Sequence, residues 1–567
     1  MPVPLDEAVV SYGSLALLFL ASVLSILVVT RYSDGRSLFA PLRERFVLGI
    51  PWGTVIVIAA VYAFFYLVQG GGRDGGPLVT AFRSWSFWYP QGLFASSFSH
   101  ASHSHLIGNL LGTLAFAPVV EYAWGHYPST ESSTRIEAWK VRFFGTPAGR
   151  ITVFVAGVFL AGILGAMFVP GAIIGFSGVV FALAGFALVA RPLLAVGAIL
   201  ALQAIRLFRR SLLDPLLFAT AEPRFVSPSW ADTALQGHLF GLLLGALAAV
   251  WVLRRRKTQP KLRYIWFAVL VFAVTRSMYA IYWYRGADQF VLYQALGTAG
   301  VLALASLVAL AALPDNRPLS KRLGTCPQLR TVAAALLVVA LVLLGVSGAV
   351  YNAVSVSPGD EMDDGIEIED YTVAYVTDVE DQYIGAVEVP YLWDGLSVNV
   401  SGVVVASDER NAWALERSSN RLAFDGQATI PVGGATWRET VSVDRTEWSF
   451  VDGNGTYQVY GTVGEREGWS LLHQDSPAVA DLTLSSHNLS IEPATVTDTV
   501  TERLEPTPQA YELVVTRNDS VVATEPIPPH NESISVADLT FERIENDLVA
   551  KTDGTRIRLA EYRTEGR

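Results

Sequence analysis

Ten long apolar stretches, all of them before residue 355, constrain the fold of this 567-residue chain more than any other feature. Each is close to the roughly 17–25 residues that an α-helix needs to cross a bilayer. They lie near residues 10–30, 50–69, 104–123, 151–169, 173–190, 192–207, 235–253, 263–284, 290–313 and 331–350. This part of the chain is therefore predicted to be an α-helical polytopic membrane protein with about ten spans.

The pattern changes at residue 355. Residues 1–354 carry 27 Lys+Arg and 13 Asp+Glu, a net charge of +14, whereas residues 355–567 carry 14 and 39, a net charge of −25. Short runs of alternating apolar and polar residues follow, separated by turn sequences such as the DGNG at 452–455. This spacing is typical of β-sandwiches. The tail is predicted to be an acidic all-β, sandwich-like soluble domain, with a linker and a first strand edge at residues 358–370.

Basic residues in short loops predict the orientation, because such loops stay on the cytoplasmic side. Arginine and lysine cluster in loops 31–49 and 124–150 and directly after the seventh and ninth spans. With ten spans these four loops share the cytoplasmic side, so both termini and the tail are predicted to be outside the cell. Three arginines near the end of the sixth span would then face outward. For this reason we expect a partly interfacial helix over residues 206–222.

Five Asn-X-Ser/Thr acceptor sequences for N-glycosylation agree with an external tail, since such sites require an exported surface. None lies before residue 355. The acceptor asparagines are Asn399, Asn454, Asn488, Asn518 and Asn531.

The composition also limits the partners of the chain. Only five of the 41 basic residues are lysines, and a lysine-poor, strongly acidic domain favours solubility in concentrated salt, as in halophiles. The single cysteine, Cys326, rules out an intramolecular disulfide framework. Basic residues occur mostly in short runs beside apolar segments, the pattern of membrane flanks. We therefore expect the lipid bilayer as a partner, and no nucleic acid.

Residues 70–103 form a long loop that is rich in aromatic residues, among them Trp85 and Tyr89. Aromatic residues at this density beside a span are typical of a segment in the headgroup layer. They also suit a loop folded over its neighbours. Both interpretations stay open on the sequence alone.

Polar residues at the ends of spans provide the first candidate site, because such residues are costly in lipid and by default mark function. His100, His105 and Asn109 begin the third span. His105 and Asn109 are four residues apart, so they share one face of a helix. With His103 the histidines could also bind zinc, but they lack a nearby carboxylate or cysteine ligand. We expect no metal and no cofactor, and we expect His103 to be exposed.

A second cluster, Gly175-Phe176-Ser177-Gly178, opens the fifth span. Glycines beside a serine at the start of a helix allow close backbone approach and leave amide groups free to bind an anion.

A third cluster begins the seventh span, where His238 follows Gly237 and glycine recurs at Gly241 and Gly245. Glycines at four-residue spacing let two helices pack backbone to backbone. Such packing would press His238 against the neighbouring helix.

The predicted topology brings the three clusters to one depth. The spans that bear His105, Ser177 and His238 all run from outside to inside, and a rise of about 1.5 Å per residue places all three within about 10 Å of the outer surface. A serine hydroxyl needs an adjacent base, usually histidine. The tetrahedral intermediate needs donors for its oxyanion, for which Asn109, His105 and the Ser177 N–H are suitable. Because no acidic third member stands out, a dyad is predicted.

The motifs H-x4-H-x3-N, G-x-S-G and G-H-x-x-G, in this order on separate spans, resemble those of the rhomboid family of intramembrane serine proteases. The resemblance implies that Ser177 and His238 form the catalytic dyad, that His105 and Asn109 line the oxyanion hole, and that residues 50–257 form the six-span catalytic core. It also implies that the substrates are single-span or polytopic membrane proteins. The supporting residues are His100, Glu121 of a Glu-x-x-x-Gly motif, Gly175, Gly178, Gly237 and Gly241.

Several features lie outside the family pattern. No Trp-Arg dipeptide occurs in the first external loop, and Gly237 stands where alanine is common. The extra first span with its loop (1–49), three additional spans (258–354) and the tail (355–567) are also additions. We expect the tail to recruit substrates or to bind a partner in the cell envelope, and not to contribute to the chemical step.

Two other functions fit the sequence less well. An inactive rhomboid-like protein could bind membrane clients, but it would have lost Ser177 or His238, and both are present. A transporter or receptor could use the tail as a sensor. That function predicts internal span repeats or polar residues near the bilayer midplane, and the sequence has neither.

Overall fold

The computed structural model describes most of the chain. The described residues are 5–32, 40–73, 75–127, 145–216, 224–231, 234–256, 260–313, 326–354, 362, 364–382, 398–434, 436–464, 468–484, 486–494, 510–518, 520–536, 538–552 and 555–563. Most of the basic loop 124–150, the basic residues after the ninth span and much of the predicted linker 358–370 lie outside them.

Apolar helices occupy all ten predicted spans. Seven are long and apolar enough to cross a membrane, and those that begin at residues 52, 177 and 262 are shorter. A membrane-type helical part followed by a β-rich domain is therefore confirmed. The helices are Leu5–Tyr32, Trp52–Ala63 with a π-helical extension Phe64–Val68, His103–Trp124, Pro147–Phe168, Ser177–Ala190, Pro192–Leu213, Leu235–Arg256, Leu262–Thr275, Gln294–Ala311 and Cys326–Asn352.

Two predicted spans have the wrong bounds. The eighth helix ends at Thr275, and strands β1 (Tyr282–Tyr284) and β2 (Phe290–Leu292) form an antiparallel hairpin before the ninth helix. The strand residues, Tyr-Trp-Tyr and Phe-Val-Leu, are large and uncharged like the ends of a span, so the predicted spans extended over them. The sixth helix runs without a break to Leu213, so a separate helix does not start at residue 206.

The helix Ser177–Ala190, here called the serine helix, lies at the centre of the bundle. Most of its side chains are buried, and it packs against the helices that begin at residues 103, 147, 192 and 235. The helices Leu262–Thr275 and Gln294–Ala311 contribute to the same hydrophobic cluster. The additional spans therefore share one core with the predicted catalytic core.

The tail is built from sixteen described strands and one short helix, Ser419–Asp425. The strands are β3 Ile366–Ile368, β4 Tyr371–Glu380, β5 Asn399–Ser407, β6 Ala412–Ser418, β7 Gln427–Gly433, β8 Arg438–Phe450, β9 Gly455–Val463, β10 Ser470–Gln474, β11 Ala478–Leu484, β12 His487–Pro493, β13 Tyr511–Arg517, β14 Ser520–Pro526, β15 Ser533–Val536, β16 Leu539–Ile544, β17 Asp547–Thr552 and β18 Thr555–Arg563. The first strand, β3, lies within residues 358–370, which were predicted to contain the linker and the first strand edge.

These strands form two sandwiches that share one sheet. An eight-stranded sheet (β7–β10 and β15–β18) faces the four-stranded sheet β3–β6 across one core and the sheet β11–β14 across another. Strand β8 serves both, with Val441 and Val443 in the first core and Trp448 and Phe450 in the second. The single sandwich-like domain predicted from the sequence is therefore a double one.

The first sandwich rests on the aromatic loop of the membrane part. Trp85 and Tyr89 are buried against the start of β6, and Arg410 Nη1 donates a hydrogen bond to the Tyr89 hydroxyl at 2.9 Å. Arg410 Nη2 also donates to Asp370 Oδ1 at 2.9 Å. Partial burial acts to raise the pKa of Asp370, but the hydrogen bonding and charge of Arg410 hold this pKa below its usual range. Trp88 stays 66% exposed, so only part of this loop is folded over its neighbours.

The hairpin β1–β2 provides a second support for the tail. Trp283 and Tyr284 pack against the hydrophobic cluster of strands β4–β6, and the Ser418 hydroxyl donates to Asp288 at 2.9 Å. The tail therefore covers one end of the helical bundle.

Candidate active site

Glu121 lies at the bundle end opposite the tail and ties two helices together. Its carboxylate accepts hydrogen bonds from the backbone N–H groups of Gly53 (2.7 Å) and Thr54 (2.8 Å) and from the Thr54 hydroxyl (2.7 Å). His126 Nε2 lies 2.6 Å from the same carboxylate. Since His126 Nδ1 accepts from the Val47 N–H at 3.0 Å, Nε2 carries the proton. Glu121 thus has a supporting role away from Ser177, and His126 was not singled out in the sequence.

Replacing Glu121 with leucine is expected to destabilise the protein strongly, because several buried donors lose their acceptor. At about 1–3 kcal/mol for each unsatisfied group, the loss should reach at least about 3 kcal/mol. Thermal unfolding in detergent, followed by tryptophan fluorescence, measures it. Glu44→Leu is the control, since Glu44 is exposed. Equal melting temperatures for the two variants would contradict the structural role of Glu121.

Ser177 is the first residue of a short helix. The serine helix has 14 residues, about 21 Å at 1.5 Å per residue, against a hydrocarbon thickness of about 30 Å. Ser177 is half-buried at the tail-facing end. The amides of a first helical turn have no partner within the helix, so the Ser177 N–H has no helical acceptor.

The helix Leu235–Arg256, here called the histidine helix, packs on the serine helix backbone to backbone. A Cβ added at Gly241 or Gly245 would lie under 3.0 Å from the carbonyl oxygens of Gly178 and Ala182, respectively. The predicted glycine contacts at 241 and 245 are therefore present. Gly237 differs, because a Cβ there would meet only the Val169 side chain, at 3.3 Å.

The contact between these helices places His238 over the face that bears Ser177. The His238 ring stacks on Phe181, with ring centroids 4.0 Å apart and planes 7° from parallel, and Phe181 is one turn after Ser177. Ser177 and His238 line one cavity of about 1350 Å³. No hydrogen bond joins their side chains, and His238 Nδ1 is buried without a partner among the described residues. No carboxylate of the described chain therefore orients the ring from that nitrogen.

His105 and Asn109 converge on Gly175, two residues before Ser177. A Cβ at Gly175 would lie 2.7 Å from His105 Nε2 and 3.6 Å from Asn109 Nδ2. Its φ of +122° also requires glycine. Asn109 Nδ2 is buried and has no partner within the described residues, so this amide can donate to a bound ligand.

His100 packs beside His105. It is fully buried, with its ring 5.2 Å from that of His105. Its backbone N–H donates to the Gln69 side chain at 2.7 Å, and Gln69 Nε2 donates back to the His100 carbonyl at 3.1 Å. Gln69 was missed in the sequence, where one glutamine at the end of a span gives no signal. His103 is exposed, as expected.

The possible metal site and the acceptor asparagines were the other sites considered in the sequence. No group of three or more His, Cys, Asp or Glu side chains that could hold a metal ion occurs in the described ranges. The five acceptor asparagines, Asn399, Asn454, Asn488, Asn518 and Asn531, are all exposed on the tail.

Comparison with known proteins gives no match: neither a family model, nor a curated protein, nor a solved structure is similar to this chain. The motifs and the geometry around Ser177 are therefore the basis for a function.

Proposed function

We propose that the protein is a rhomboid-type intramembrane serine endopeptidase that hydrolyses peptide bonds in or near the spans of membrane proteins. The observation that carries the proposal is one cavity lined by both Ser177 and His238. Ser177 begins the serine helix, and His238 of the histidine helix stacks on Phe181, one turn after Ser177. The unpartnered amide of Asn109 beside Gly175 is the second support.

In this mechanism the Ser177 hydroxyl oxygen attacks the carbonyl carbon of the scissile peptide while His238 takes its proton. The resulting oxyanion accepts hydrogen bonds from Asn109 Nδ2, His105 and the Ser177 N–H. His238 then gives the proton to the departing amine. Water, activated by His238 in turn, hydrolyses the acyl-enzyme and releases Ser177.

The proposed location is the cell membrane, with the tail and the N-terminus outside the cell. The tail and the Ser177 cavity share one end of the bundle, which agrees with an active site open to external water. The substrates are proposed to be single-span or polytopic membrane proteins.

Labelling with a serine-reactive fluorophosphonate tests the proposal. The detergent-purified protein should react, mass spectrometry should locate the adduct on Ser177, and Ser177→Ala should abolish both labelling and cleavage of a single-span reporter. Adduct formation on another serine, or cleavage by the Ser177→Ala variant above a few per cent of wild type, would refute the assignment.

Asn109→Ala should impair cleavage without abolishing it. Loss of one oxyanion donor typically lowers kcat about 10²–10³-fold, and the remaining donors should make the loss milder. Single-turnover cleavage of the reporter measures it. Asn109→Asp is a matched control, because it keeps the size of the side chain and removes its N–H donor, and it should be impaired to a similar degree. A wild-type rate for Asn109→Ala would make Asn109 a structural residue.

A further inference from the structure

The tail contributes directly to the cavity that contains Ser177. Arg417 of β6 and Arg421 of the helix Ser419–Asp425 line it, together with Arg83 of the aromatic loop. We call these three residues the arginine cluster. In the described part of the chain, every Asp, Glu, Lys or Arg that lines this cavity belongs to the cluster.

The carboxylates nearest the cluster do not neutralise it. Glu416 lies 3.7 Å from Arg83 Nη1, and Asp425 is shared by Arg417 at 3.6 Å and Arg421 at 3.1 Å. Among the described residues, two carboxylates therefore face three guanidinium groups. Counted with Arg83 of the membrane part, these five side chains carry a net charge of +1, next to a tail whose net charge is −25.

Two of the guanidinium groups also have hydrogen-bonding capacity to spare. The Nε atoms of Arg83 and Arg417 are buried and have no hydrogen-bond partner among the described residues. A buried donor without an acceptor is costly, so an incoming acceptor would be favoured there. Arginine presents its donors in a planar fork that matches a carboxylate.

We propose that the arginine cluster binds a carboxylate of the substrate, namely an Asp or Glu side chain in the external segment that flanks the scissile bond. This inference rests on the proposed function. A peptide held at Ser177 must pass through the same cavity, so the cluster meets the external flank of a substrate. The tail thereby selects substrates by charge, at a site shared with the membrane part.

A competition experiment tests the proposal on the full-length protein in phosphatidylcholine vesicles. Two single-span peptides are compared, identical except that the external flank carries Asp-Asp or Asn-Asn. The readout is the peptide concentration that halves fluorophosphonate labelling of Ser177, with labelling of each variant without peptide as its own reference. Wild type should be protected by the acidic peptide at about tenfold lower concentration, the equivalent of about 1.4 kcal/mol.

The variants separate charge from structure. Arg417→Gln/Arg421→Gln should bring the ratio of the two concentrations to about one, whereas Arg417→Lys/Arg421→Lys should keep part of the preference. Arg421→Gln alone gives an intermediate ratio and provides a reading if the double variant fails to fold. Arg556→Gln is the matched control, since Arg556 is exposed in the second sandwich, and it should behave as wild type.

Each outcome decides the proposal. A tenfold preference that survives Arg417→Gln/Arg421→Gln would overturn it, and so would equal protection of wild type by the two peptides. A different result would assign the cluster to a lipid headgroup. In that case the two peptides protect equally, and added phosphatidylglycerol changes the labelling of wild type but not of Arg417→Gln/Arg421→Gln. Failure of wild type to label at Ser177 would refute the protease function itself, which is a distinguishable result.

Discussion

Replacing His238 with alanine is expected to lower the cleavage rate on the order of 10⁶-fold, as removal of the base of a serine nucleophile does in other hydrolases. Without the imidazole the Ser177 hydroxyl keeps its proton and remains a weak nucleophile. Within the described residues no carboxylate partners His238 at Nδ1, and His105, the other histidine that lines the cavity, has the role of oxyanion donor in the proposed mechanism. Single-turnover cleavage of a single-span reporter in detergent gives the rate.

His103→Ala is the control for this prediction. His103 belongs to the same histidine-rich sequence as His105, but it is exposed and does not line the cavity of Ser177. Its replacement should leave cleavage and thermal stability near wild type. Cleavage by His238→Ala above a few per cent of the wild-type rate, in protein that melts normally, would remove His238 from the mechanism.

Replacing Gly245 with alanine is expected to cost about 3 kcal/mol of stability, at the upper end of the range for overpacking. The added methyl would lie under 3.0 Å from the Ala182 carbonyl oxygen and also close to the backbone of Phe186. Because both obstacles are backbone, a rotamer change cannot relieve the contact, and the histidine helix must move away. That movement displaces His238 from Phe181, so cleavage should fall with stability.

Gly197→Ala provides the comparison. Gly197 is in the interior of the helix Pro192–Leu213 and has no atom within 4 Å of the position of an added Cβ. Alanine is favoured over glycine in a helix by up to about 1 kcal/mol, so this variant should melt at or slightly above the wild-type temperature. If Gly245→Ala and Gly197→Ala had the same melting temperature, the serine helix and the histidine helix would not be in backbone contact.

The sequence was most informative where one physical rule acts on consecutive residues. Apolar stretches long enough to span a bilayer predicted the ten apolar helices of the described membrane part, because the hydrocarbon accepts only backbone that satisfies its own hydrogen bonds. The spacing of Gly241 and Gly245 predicted close helix packing, because residues four apart share one face of a helix. The depth argument predicted a common level for Ser177 and His238, and the two residues line one cavity.

The remaining features depend on contacts between distant segments. The strands of the hairpin, Tyr282–Tyr284 and Phe290–Leu292, are uncharged like the ends of a span, and the contact of Trp283 and Tyr284 with the tail lies outside any local pattern. Phe181 is an ordinary apolar residue in the sequence, although its four-residue distance from Ser177 was a usable signal. The hydrogen bond from Arg410 to Tyr89 joins residues 321 positions apart, which no local pattern encodes. The tail is still expected to take no part in the chemical step, although two of its arginines line the cavity of Ser177. This expectation stays a prediction.

Strand β8 gives the tail a mechanical property. Its 13 residues run without interruption from the first sandwich, next to the membrane part, into the second. A strand resists extension along its axis through every hydrogen bond on both sides, and β8 is paired with β7 and β9 and, near its end, with β18. A pull on the second sandwich therefore reaches the first through the backbone itself. The part of the first sandwich beside the Ser177 cavity would bear that load.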